Sequence, residues 1–170
     1  MNEFFRNKRV LVAGARGFVG TNLVDQLVQL GASVRGSVTR RVPPSKCGSV
    51  EYIESDLTMR DDCKRLVDEI DYVFMAAACT SGAAVIETNP LAHLTPNVVM
   101  NSYMLEAARA AGVKKFCFVS SNVVYPVTDF PVAEDHTNFE FFEKDFIVGW
   151  MKQFSELMGE MYSEHIDHPM

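Results

Sequence analysis

Cysteine is scarce in this 170-residue sequence: there are four, at positions 47, 63, 79 and 117, and no two form a C-x-x-C pair. Their neighbours are apolar or strand-like, unlike the loop-rich framework of a disulfide-stapled domain, so the thiols read as reduced. No apolar run approaches the ~20 residues of a membrane-spanning helix. The opening MNEFFRNKR leads into a strand-like stretch without the cleavage pattern of a secretory leader. A soluble, cytoplasmic chain with no membrane partner is the expectation. Positive charge is also in short supply, with 16 Lys and Arg against 22 Asp and Glu, a net charge of -6 and no basic run. The electrostatic footprint of a nucleic-acid binder is missing, which leaves a small molecule as the expected partner. His165 and His168 form an H-x-x-H near the end, but no further Cys or His completes a ligand set, so no metal site is expected. Repeats, low-complexity stretches and interdomain linkers are absent, and residues 1–170 read as a single domain.

What is present is 48% hydrophobic residues, arranged as short apolar runs alternating with amphipathic segments. That alternation marks parallel strands joined by helices. Strands are predicted at Arg9–Ala13, Ser33–Val38, Val50–Ile53, Tyr72–Ala76 and Phe116–Ser120. Helices are predicted over residues 18–30, 60–70, 94–111 and 147–163. A polar, proline-marked loop from Tyr125 to Asn138 precedes the last helix. Right-handed crossovers favour an open α/β sheet of about five strands in the order 3-2-1-4-5, with helices on both faces. Its ligand crevice belongs at the carboxyl ends of strands one and four, where the order reverses. The run Phe139–Phe142 (FEFF) falls near that mouth, where it is either exposed or covers the site, with core packing as its default role.

Gly14, Gly17 and Gly20 sit in G-x-x-G-x-x-G spacing between the first strand and the first helix. The three glycines provide a tight turn, close backbone approach for a pyrophosphate and close helix–strand packing. The N–H groups of Phe18, Val19 and Gly20 at the helix start then face the phosphates, with Arg16 available to add charge. The end of the second strand is where an adenosine ribose is read, and an acid there accepts from the 2′-hydroxyl. No Asp or Glu occurs from Gln26 to Val50, whereas Arg35, Thr39, Arg40, Arg41 and Lys46 do. Arg40 and Arg41 just past Val38 favour NADP(H), with NAD(H) as the alternative. Asp56 and Leu57 follow the third strand, where Asp56 either accepts from the adenine amino group or caps a helix.

The segments VLVAGARGFVG, SDL at 55–57, VFMAAACTSG at 73–82, NVVMNSYMLEAARAAGVKKF at 97–116 and FVSSNVVYP at 118–126 together resemble the extended short-chain dehydrogenase/reductases, the NAD-dependent epimerase/dehydratase family. The resemblance implies a Rossmann-like fold in which Ala76, Ala77 and Ala78 line the cofactor and Asn97 lies near it. It also implies that Ser121 is the active-site hydroxyl, orienting the reacting oxygen toward the nicotinamide. The family places a Y-x-x-x-K pair on the last helix. Here the lysine is present as Lys152, to hold the nicotinamide ribose, and the tyrosine is replaced by Val148. Tyr125, Glu143, His136 and Asp145 are candidate substitutes for the missing acid–base group, and nothing in the sequence selects among them. In the family a further strand and a C-terminal substrate domain follow this helix, so that domain is read as missing. The resemblance implies a homodimer paired through the helices over 94–111 and 147–163, whose apolar stripe equally fits packing onto the sheet. The implied activity is hydride transfer on a nucleotide sugar or a related alcohol or ketone. The alternative is a non-catalytic NAD(P)-binding module, a redox sensor or remnant without the tyrosine.

Overall fold

The computed structural model describes residues 3–39, 50–80 and 88–164. Its strands are β1 (Arg9–Ala13), β2 (Ser33–Val38), β3 (Val50–Glu54), β4 (Tyr72–Met75) and β5 (Lys115–Phe118). Its helices are α1 (Phe18–Gln29), α2 (Arg60–Val67), α3 (Leu94–Ala110) and α4 (Phe146–Glu164). Every neighbouring pair of strands is parallel, and the order is β3-β2-β1-β4-β5. This is the winding anticipated from the pattern. The helix expected over 60–70 stops at Val67, because Asp68 leaves helical geometry and Glu69 turns at φ +57°. Positive φ is uncommon at glutamate, so no residue type announced that stop.

β1 is apolar at successive positions because it is covered on both faces. Val10, Leu11, Val12 and Ala13 are all fully buried. Leu11 and Ala13 join Leu66, Met75, Met104 and Ala108 in a core formed with α2 and α3. Val10 and Val12 join Val24, Leu27 and Val34 in a second core under α1. Each buried Val or Leu contributes about 1.5–3 kcal/mol, and β1 supplies both layers. Its carboxyl end is thereby anchored from both faces of the sheet.

Two polar clamps tie the layers together. Arg35 on β2 is paired with Glu51 at 2.8 Å, and its Nη1 donates to the carbonyls of Leu66 at 3.0 Å and Asp68 at 2.9 Å. It thus satisfies carbonyls that the end of α2 leaves open. At the amino edge, Asp71 accepts from the Arg9 backbone N–H at 2.9 Å and pairs with Lys114 at 2.6 Å. The Lys114 hydrogen bond, then the Arg9 N–H, hold its carboxyl below the ordinary range. α4 packs along α3, where Asn101 Nδ2 donates to Ser155 Oγ at 2.9 Å. The expected core packing of the FEFF run holds only in part. Phe141 packs where α4 begins, whereas Phe139 and Phe142 are 51% and 48% exposed.

Candidate functional site

The glycine turn divides its three tasks among three positions. Gly14 turns the chain at φ +79°, and a Cβ there would lie 2.7 Å from Ala77 Cα. Only glycine lets the stretch after β4 lie so close to the end of β1. At Gly20 an added Cβ would fall 2.1 Å from the Gly14 carbonyl oxygen, so α1 is seated directly against the turn. Gly17 differs, for an added Cβ would meet nothing nearer than that oxygen, at 3.4 Å. Its outer face is open to another molecule. Gly17 is also the N-cap of α1, with no side-chain cap and no acid in the first turn. The first N–H to bond back is that of Thr21, to Gly17 O at 2.9 Å. The N–H groups of Phe18, Val19 and Gly20 are left to an external acceptor, at the positive end of the helix dipole.

A cleft of about 490 Å³ opens over this turn, at the carboxyl ends of β1, β2 and β4. Gly14, Arg16 and Gly17 form its floor, Val38 and Thr39 one rim, and Ala77 and Ala78 the opposite wall. Asp56 and Leu57 close the side after β3. Asp56 Oδ1 accepts from both the N–H and hydroxyl of Thr58, at 2.9 and 2.7 Å. Those bonds, the hydroxyl first, lower its carboxyl pKa and keep it ionised. Asp56 therefore organises the turn before α2, whose N-cap is Met59, and Oδ2 has no partner among the described residues. Arg35 is committed to α2 and lies off the lining. Arg40, Arg41 and Lys46 lie outside the described residues, as do His165 and His168.

Ala76 continues the ladder, its N–H donating to Ala13 O at 3.1 Å, and leaves the cleft wall to the next two alanines. Asn97 is 3% exposed and acts one layer behind that wall. Its Oδ1 accepts from Cys79 N–H and its Nδ2 donates to Cys79 O, both at 2.9 Å, with a further bond to His93 O at 2.6 Å. A side-chain amide thus takes the place of a neighbouring strand for a backbone segment that has none. Ser37, Val38, Ser55, Thr58, Cys79, Pro96 and Met100 also border the cleft and were missed from the sequence. Cys79 could have been found by extending the alanine run by one position. The others carry no local signal, since serine, threonine and valine are ordinary at strand ends and turns, and Pro96 and Met100 suit the first turn and the core face of α3.

Ser121 and Lys152 lie outside that lining, near the carboxyl end of β5. Ser121 begins the 3-10 turn Asn122–Val124, its Oγ accepting from Val123 N–H at 3.4 Å. Lys152 Nζ donates to Val119 O at 2.8 Å and stands 4.7 Å above the Phe118 ring. Burial lowers its pKa, and Glu156 opposes that shift. Lys152 therefore anchors α4 two residues before Ser121. Gly149 makes that approach feasible, because a Cβ there would lie 2.6 Å from the Phe141 ring and 2.7 Å from Val123 O. Val148 adjoins it, half-buried. Among the substitutes considered for the missing tyrosine, His136 Nδ1 accepts from Ala133 N–H at 3.1 Å, while Glu143 and Asp145 belong to a 3-10 turn. Tyr125 borders a separate groove of about 410 Å³ between β5 and α4, together with Ser120 and Glu156.

Among the described residues, no helix is long and apolar enough to cross a membrane, and no group of three His, Cys, Asp or Glu side chains is placed to hold a metal. Comparison with known proteins gives the cleft its context. GDP-mannose 3,5-epimerase 1 of Oryza sativa subsp. indica is 30% identical over 122 residues, which are 69% of this chain and 32% of that protein. The 3 beta-hydroxysteroid dehydrogenase/Delta 5→4-isomerase of Mycobacterium tuberculosis (strain CDC 1551 / Oshkosh) is 36% identical over 119 residues, 68% of this chain and 32% of that one. Among solved structures, MoeE5 in complex with UDP-glucose and NAD superimposes with a TM-score of 0.77 at 28% identity, over 94% of this chain and 50% of that one. The match thus spans about a third of the length of these curated relatives and half of that solved chain. The model of the NAD dependent epimerase/dehydratase family matches residues 10–164, taking in every strand but the first residue of β1 and every helix described above, and the chain belongs to that family.

Proposed function

We propose that the chain binds NADP(H) in the cleft over the glycine turn, as the cofactor-binding part of an oxidoreductase acting on a nucleotide sugar or a related alcohol or ketone. The observation that carries this reading is the open face of Gly17 beside the uncapped start of α1. It is a concave site of backbone N–H groups that suits a pyrophosphate. Asp56 Oδ2 would accept from the adenine amino group, and Ala77 and Ala78 would let the dinucleotide lie flat against the end of β4. The absence of any acid from Gln26 to Val50, with Arg40 and Arg41 beyond β2, supports a 2′-phosphate over a bare 2′-hydroxyl. When bound, the nicotinamide supplies the hydride chemistry. Lys152 would hold its ribose and Ser121 would orient the reacting oxygen.

One relative is named for GDP-mannose and the other for a hydroxysteroid, yet each matches over about 120 residues. The shared stretch suits cofactor binding, as the NAD dependent family it belongs to implies, and leaves substrate choice to other segments. Phe146, Trp150 and Met161 are exposed along α4, which supports a homodimer formed through that helix. Nothing in the charge pattern favours nucleic acid, and a cytoplasmic location fits the reduced cysteines. Val148 favours a second reading, a non-catalytic NAD(P)-binding module, because valine transfers no proton.

Calorimetric titration with NADPH, NADP⁺, NADH and NAD⁺, on the wild type and on Arg40→Ala/Arg41→Ala, tests the cofactor. Tighter NADP(H) binding by the wild type, with the preference lost in the double variant, is expected. No heat with any form would sink the reading. Binding without hydride transfer to sugar-nucleotide or carbonyl substrates would favour the module.

A further inference from the structure

Ser37 occupies the fifth position of β2 and is 3% exposed, yet it borders the cleft. Its Oγ accepts from Gly14 N–H at 2.9 Å, and its carbonyl accepts from Ala15 N–H at 3.1 Å. One residue of β2 therefore holds the first two N–H groups of the glycine turn. The strand is not free to withdraw there. A Cβ on neighbouring Gly36 would lie 2.7 Å from Ala15 Cβ and 2.9 Å from the Tyr52 ring. A hydroxyl carries one proton and two lone pairs. Gly14 takes one lone pair, and no hydrogen bond from the Ser37 hydroxyl to a described residue accounts for the proton.

We propose that Ser37 is a specificity-determining contact for the adenosine half of the dinucleotide, its hydroxyl donating to the ribose or its 2′-phosphate while it holds Gly14 in place. This rests on the dinucleotide reading above. The end of the second strand is where that ribose is met. An acid there would accept from a 2′-hydroxyl and repel a 2′-phosphate, whereas a serine proton serves either oxygen. The bond to phosphate is charge-assisted and the stronger of the two. Ser37 thus biases the site toward NADP(H) from within β2, independently of the arginines beyond it.

The test is calorimetric titration of wild type, Ser37→Ala and Ser37→Thr with NADPH and NADH. Ser37→Ala is expected to weaken NADPH about tenfold and NADH about threefold. Ser37→Thr, which keeps the hydroxyl, is expected to stay within about threefold of wild type for both. A merely structural role would weaken both ligands in step with a fall in melting temperature, and would leave their ratio unmoved. Equal weakening of both ligands at an unchanged melting temperature would remove Ser37 from the choice between the two nucleotides and overturn the proposal. Wild-type affinity for both in Ser37→Ala would overturn the proposal. If Ser37→Ala fails to fold, Ser37→Cys, close in size and a weaker donor, carries the same comparison. Failure of the wild type to bind either nucleotide is a separate outcome, which removes the dinucleotide reading and this proposal with it.

Discussion

The same methyl group added at two glycines three residues apart should have opposite effects. In Gly20→Ala the new Cβ meets the Gly14 carbonyl oxygen at 2.1 Å and Ala15 Cα at 2.9 Å, both backbone atoms of the turn that leaves β1. Overpacking costs about 1–3 kcal/mol, and backbone on two sides places this variant at about 3 kcal/mol or above. At about 2–4 °C per kcal/mol for a domain of this size, melting should fall by about 6–12 °C. In Gly17→Ala the backbone already has φ -69°, and the sole near atom is at 3.4 Å. Reduced freedom in the unfolded chain gives up to about 1 kcal/mol, and the poorer N-cap costs a similar amount. Melting should stay within about 2 °C of wild type. The methyl instead obstructs the approach to the helix start, and loss of one charge-assisted hydrogen bond of about 1.5–3 kcal/mol weakens NADPH at least tenfold. Circular-dichroism melts and calorimetry on both variants provide the comparison. Equal melting losses, or wild-type NADPH affinity in Gly17→Ala, would refute the division of roles.

Three further outcomes follow from the polar clamps and the thiols. Asn97→Leu leaves the Cys79 N–H and carbonyl without their partner, at about 2–4 kcal/mol in urea unfolding, and should loosen cofactor binding with it. Unchanged affinity would show that the wall does not need the clamp. Asp71 has a depressed folded-state pKa, so its contribution is present above the unfolded value and lost as pH falls through the folded one. Asp71→Asn should therefore be less stable than wild type by about 1 kcal/mol at pH 7, and the gap should close below about pH 4. A gap independent of pH would contradict the ion pair. Cys79 is exposed on the cleft wall, whereas Cys63 is buried with its thiol pushed up to about 12, chiefly by desolvation. Iodoacetamide followed by peptide mass mapping should label Cys79, spare Cys63, and label Cys79 more slowly with NADPH present; equal labelling with and without nucleotide would count against the cleft as the binding site.

The sheet was legible because its signals are local. The run RVLVA, the alternation of SVRGSV and the glycine spacing each report on the chain within a few residues of themselves, and the strand order follows from crossover handedness. What escaped detection is side chain bonded to distant backbone. Arg35 reads as one more basic residue near the ribose site, yet it closes the end of α2, 31 residues away at Leu66. Asn97 reads as a helix-starting residue near the cofactor, yet both ends of its amide hold Cys79. Ser37 and Gly149 carry no signal at all, because their importance lies in what approaches them. The FEFF run was half legible for a related reason: hydrophobicity predicts burial, but cannot say that Phe142 stays half-exposed and that Phe139 does so with only an edge contact to the Phe141 ring.

The central claim, that the dinucleotide lies over the glycine turn, is tested most directly by titrating NADPH into ¹⁵N-labelled protein and mapping the amide shifts. The account predicts the largest changes at Gly14–Gly20, Ser37–Thr39, Asp56–Thr58 and Ala77–Cys79. Shifts confined to the groove between β5 and α4, or no shifts at all, would contradict it.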